Sequence, residues 1–161
     1  MLPSYSSDKM SSEGDIGGTF RMMKARPSRE DSLYRQAFED GAIPPAMFNH
    51  RAHLRLAYVY LCEGSAAEAT DKMRSAIQDF LRSNSVDQSK YHETLTASWI
   101  HAVRHFIELA PTVGSFAELL EVDGRLLDKS IMLTHYTAER LFSDDARAHF
   151  LAPDLQPIPT H

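Results

Sequence analysis

The sequence predicts an all-α fold: one single-domain helical bundle of about four main helices, with short helices attached. Three observations carry this. Apolar residues recur three and four apart, as in Ala69, Met73, Ile77, Phe80 and Leu81, a spacing that lines one face of a helix. A serine precedes an acid by three positions at Ser28/Asp31, Ser65/Glu68 and Ser115/Glu118, the pattern of a capping box that opens a helix. Strand-type alternation is scarce.

In chain order, residues 1–27 are rich in Ser, Gly and Met with few branched apolar residues. Such a segment buries too little surface to offset its ordering entropy, which predicts a disordered tail. Ser28 starts the first helix, which stops at Asp40-Gly41, and Ile43-Pro44-Pro45 must be extended because each proline restricts the residue before it. A central helix follows, from about 46 or 49 to 62, with Gly64 as its C-cap. Ser65 opens the next helix, and so short a link packs the pair antiparallel. A long helix is expected from about 88 to 109, ended by Pro111. Ser115 heads a short helix, 125 to about 136 reads as helical, and Ser143 caps a last short helix. Residues 153–161, with three prolines, form an extended strap, leaving 28–152 as the bundle.

Composition narrows the function. The 161 residues are 43% hydrophobic and 24% charged, values of an ordinary globular domain. A formal net charge of −5 gives no basic nucleic-acid footprint. No apolar run approaches the roughly 20 residues that span a bilayer, and no apolar leader opens the chain. One cysteine, Cys62, allows no internal disulfide. Together these predict a cytoplasmic protein without nucleic-acid or membrane partners. Cys62 falls on the Arg51/Arg55 side of its helix, where a neighbouring cation could lower its pKa. It lacks an evident base, and no nucleophile is assigned.

Eight histidines are the informative excess. At about 100° per residue, Leu54, Leu56, Ala57, Tyr60 and Leu61 define the apolar arc of the central helix, with His53 near its middle and His50 near its edge. On the later helix Leu95, Thr96, Trp99, Val103, Phe106 and Ala110 form a stripe that includes His92. His101 and His105 fall on the opposite face, which is read as solvated. Three imidazoles therefore point inward from two helices, and each buried nitrogen needs a partner.

Three chemistries answer that need. The first is a divalent metal ion (Zn, Fe or Ni) held by His50, His53 and His92 with an open position, activating water, or dioxygen if the metal is iron. Glu93 and Tyr136 are then the supporting catalytic groups. Glu93 could also bond an arginine such as Arg51, and His135 could be a fourth ligand. The second is a small-molecule ligand pocket without metal, lined by Tyr58, Thr96 and Trp99, with a histidine as acid or base and Arg51 and Arg55 holding an acidic substrate. The third is a structural hydrogen-bond network in a non-enzymatic ligand- or protein-binding module. The metal-dependent enzyme is the leading expectation.

The blocks Phe48-Asn49-His50-Arg51-Ala52-His53-Leu54-Arg55-Leu56-Ala57 and Lys90-Tyr91-His92-Glu93-Thr94-Leu95-Thr96 resemble those of a family of small uncharacterised bacterial proteins. Leu141-Phe142-Ser143, Ala146-Arg147, Phe150 and Pro153-Asp154-Leu155 resemble that family's ending. The resemblance covers about 37–159, leaves the N-terminal segment outside and implies no particular reaction. In outline the chain is also similar to metal-binding four-helix bundles of the DinB type, which use three histidines. Their later His-x-x-x-His has no counterpart in the corresponding part of this chain, so that likeness is one of architecture.

Overall fold

The structure, a computed structural model, describes residues 24–160, and no strand occurs among them. Four main helices form the bundle: α1 (Arg29–Glu39), α2 (His50–Glu63), α3 (Ala66–Ser83) and α4 (Glu93–Leu109). Helices α2, α3 and α4 pack on one another, and α1 lies against α2 and α3. Short helices follow: α5 (Phe116–Val122), α6 (Met132–His135), α7 (Ala138–Leu141) and α8 (Asp144–Ala148). No helix among the described residues is long and apolar enough to cross a membrane.

The caps explain the boundaries. Ser28 Oγ accepts from the Asp31 N–H, and Asp31 Oδ2 accepts from the Ser28 N–H, both at 3.0 Å. Ser65 and Glu68 repeat the arrangement at α3. At α5 the return bond is shifted by one residue: Glu118 accepts from the Gly114 N–H at 2.6 Å. Asn49 caps α2 by accepting from the Ala52 N–H. Each such cap satisfies a backbone donor that the helix itself leaves open.

Helix α2 is the core element. Leu54, Leu56, Tyr58, Val59, Tyr60 and Leu61 are all buried, so its apolar surface runs nearly all round rather than along one arc. Each fully buried Leu or Val there contributes about 1.5–3 kcal/mol relative to an exposed position.

Five boundaries differ from the sequence expectation. Pro44 is extended as expected, but Pro45 opens a 3₁₀ turn, Pro45–Met47, since a proline fits the first position of such a turn. Of the predicted tail, residues 1–23 lie outside the described residues. Residues 24–27 are packed: Ala25 is buried, and the Arg26 carbonyl accepts from Tyr58 Oη at 2.6 Å. The single helix expected from 88 is broken into a 3₁₀ turn, Gln88–Lys90, an extended Tyr91-His92 and then α4. The Asp87 carboxylate closes that turn by accepting from the Ser89 N–H, so the backbone must re-enter a helix at His92.

Similarly, 125–136 is not one helix. Asp123 and Asp128 cap two 3₁₀ turns, Gly124–Leu127 and Lys129–Ile131, before α6. Helix α7, capped by Thr137, was not anticipated. The C-terminal strap is docked: the Leu155 N–H donates to His135 O at 2.9 Å, Asp154 accepts from Thr137, and Ile158 is buried.

Candidate functional site

His50, His53 and His92 line one cavity of about 680 Å³, a size that suits a drug-sized ligand. Its inner wall is apolar: Ala57, Met73, Ile77, Ile100, Met132 and Leu141 contribute to it. Asn49, Lys90, Lys129, Ser130, Leu133 and Phe142 also line it and are exposed, so the cavity reaches the surface. Trp99 and Thr96 complete the α4 side.

The local backbone places each imidazole. His50 is the first residue of α2, and His53 stands one turn later. His53 stacks on Phe48 with ring centroids 3.8 Å apart. Phe48 in turn packs on Phe38 and Phe80, which fixes that ring. His50 meets Trp99 edge-on at 4.6 Å. His92 is only 7% exposed and is the N-cap of α4. The sequence reading put it on the helical stripe; it instead caps the helix that carries the stripe.

A carbonyl can only accept, so the ring nitrogen facing one must carry the proton. His53 Nδ1–H therefore donates to Asn49 O at 2.9 Å, which leaves the Nε2 lone pair unspent. His50 Nε2–H donates to Leu126 O at 2.9 Å, which leaves Nδ1. His92 spends both nitrogens: Nε2–H donates to Leu141 O at 2.8 Å, and Nδ1 accepts from the Leu95 N–H at 3.1 Å. Burial lowers all three imidazole pKa values below the ordinary 6.5, and the Lys129 charge lowers His50 and His53 further. The rings are therefore neutral at pH 7.

Other predicted site residues stand elsewhere. Glu93 faces away from the cavity, takes two hydrogen bonds from Arg74 (2.9 and 2.6 Å) and one from Tyr91 Oη at 2.7 Å. Its arginine is thus Arg74, not Arg51. Tyr136 is fully buried, with its hydroxyl donating to Leu151 O at 2.8 Å and 3.0 Å from Ser98 Oγ. Arg55 donates to Asp31 and lies over the Tyr34 ring. Arg51 lies over Phe116, and Tyr58 is sealed in the core. None of these five lines the cavity. His135 is held by Gln156 O at the strap.

Two further expectations change. Burial pushes the Cys62 thiol up to about 11, the reverse of cation activation. His101 and His105 are half-buried rather than solvated.

Sequence reasoning missed Lys90, Lys129 and Ser130. Lys129 and Ser130 sit in the turn that Asp128 caps. Asp128 followed by Ser130 was the available signal, since a side chain that bonds the backbone two residues on makes a turn. Among the described residues lining the cavity, none is Asp or Glu, although the chain carries 22 acids against 17 Lys and Arg. Among the described residues no three His, Cys, Asp or Glu side chains are gathered as an ion's ligand set.

Comparison of the chain with known protein families, with curated proteins and with solved structures gives no match.

Proposed function

We propose that the protein binds a small, largely apolar molecule in the cavity between α2 and α4, with His50 and His53 as the polar groups that meet it. One observation carries this reading: histidines from two separate segments share a single cavity that reaches the surface and has an apolar wall. Neutral imidazoles with a lone pair to spare can accept a hydrogen bond or take a proton from a ligand. That makes His53, whose ring is clamped between its backbone bond and Phe48, the group of choice for acid–base work. His92 is then a positioning residue that ties α4 to α7.

A divalent ion is the second reading, favoured by the two uncommitted lone pairs on His50 and His53. In that case His92 would have to release either Leu95 or Leu141 to become a third ligand.

The test uses the full chain without a histidine tag. Nile red, a neutral apolar dye, is titrated against the wild type and against Thr96→Phe, which fills the cavity from the α4 side. Saturable fluorescence in the wild type, lost in the filled variant, supports the ligand reading. A dye response unchanged by Thr96→Phe contradicts it. Elemental analysis of the same samples addresses the second reading. Stoichiometric Zn, Fe or Ni that disappears in His53→Ala would put the ion first.

A further inference from the structure

The cavity carries a charge pattern that the ligand reading alone does not use. Lys129 lines the same cavity as His50 and His53 and is exposed. Lys129 stands in no ion pair with a described acid. Lys90 also lines the cavity, close enough to Asp87 to help hold that carboxylate low. Several cations away from the cavity are paired with acids: Arg55 with Asp31, Arg74 with Glu93, Arg104 with Glu108, Arg125 with Asp123. A cationic rim over an apolar wall, with no acid among the described lining residues, is complementary to one kind of molecule.

From this juxtaposition we infer that the ligand is an amphipathic acid: an apolar chain or ring system bearing one carboxylate, seated with the carboxylate at Lys129 on the rim, while the lone pairs of His50 and His53 remain for a donor group on its body. The inference rests on the ligand reading above and narrows it. The apolar body lies against Ala57, Ile100 and Met132, and the anion sits at the exposed rim beside the turn that carries Lys129. The acidic substrate anticipated from Arg51 and Arg55 therefore keeps its chemistry and changes its cation. Those two arginines serve Phe116 and Asp31.

Trp99, the one tryptophan of the chain, lines the cavity and reports occupancy by its fluorescence. Decanoate, decan-1-ol and decylamine are titrated separately into the full chain. The expected result is decanoate binding roughly fivefold or more tighter than decan-1-ol, with decylamine weakest, as one partly exposed charge pair allows. Lys129→Gln should bring decanoate down to the level of the alcohol, whereas Lys72→Gln, on an unrelated surface, should leave the preference intact. Equal binding of acid and alcohol would overturn the inference while leaving the ligand reading standing. So would a preference that survives Lys129→Gln. Failure of all three probes to perturb Trp99 or to bind would remove both.

Discussion

Asp31 and the histidine cavity both bring charge or polarity into the bundle, and they do so in opposite ways. The Asp31 carboxylate is 2% exposed and is closed on every side. It accepts from the Ser28 N–H, the Phe116 N–H and Arg55 Nε at 3.0, 3.0 and 2.8 Å. Burial pushes its pKa up, but the bonds from Phe116, Ser28 and Arg55 overcome that and hold it below the usual carboxylate range. The cavity is unfinished by contrast. Two imidazoles keep a lone pair, and Lys129 has no described acid. A junction whose charges are all satisfied holds elements together. A cavity whose charges await a partner is where a ligand adds most.

Breaking the junction should have the largest effect. Asp31→Ala strands the buried Phe116 N–H and the Arg55 guanidinium at once, and should cost about 3–5 kcal/mol. Chemical denaturation would show it as a lower midpoint with an unchanged slope. A loss under about 1 kcal/mol would mean that the junction is not a structural hub.

His92 belongs with the junction rather than with the cavity's free groups, and that can be sharpened. His92→Ala removes the α4 cap and the bond to Leu141, for about 2–3 kcal/mol. His92→Asn should recover about 1 kcal/mol, because Asn can cap the helix but cannot reach Leu141. Equal losses in the two variants would show that capping is not what His92 contributes.

Acid should separate the two regions in a titration of stability. His50, His53 and His92 have folded pKa values below the ordinary 6.5, so the unfolded chain binds protons first. Their contribution is complete above pH 6.5 and is lost as pH falls below it toward the lower folded values. Asp31, whose folded value is depressed, holds its contribution until pH drops through the carboxylate range. Melting temperature should therefore decline between pH 7 and 5, and His53→Gln should make that decline shallower. A flat profile to pH 5 in the wild type would contradict imidazoles held neutral by full or partial burial.

The smallest effect belongs to Lys129→Gln. Stability should change by less than about 0.5 kcal/mol, because the residue is exposed. His50 and His53 should titrate at higher pH in this variant, since a repelling charge is gone. Proton NMR of the imidazole C–H signals reads this directly.

How much of this was legible follows from the range of each interaction. Caps such as Ser28/Asp31 and Ser65/Glu68 span three residues, so they can be read from the chain. Helical periodicity placed His50 and His53 on the inward side of α2, but it put His92 on a helical stripe that it does not occupy. The role of His92 was not legible, because a turn closed by Asp87 restarts the helix and makes it a cap. Asp31 was legible as half of a capping box but not as the partner of Phe116, 85 positions away. Glu93 and Tyr136 were chosen for chemical type, and their commitments to Arg74 and Leu151 come from tertiary packing. Lys129 could not be placed at the cavity because two Asp-capped turns, rather than one helix, carry it there.

The location of the ligand is the point on which the account turns. Decanoate added to the isotopically labelled full chain should shift the Trp99 indole N–H and the ring signals of His50 and His53, with the signals of Arg74 and His149 unmoved. Shifts concentrated at Arg74, Arg147 and His149, which line a separate surface pocket, with the Trp99 indole still, would contradict it.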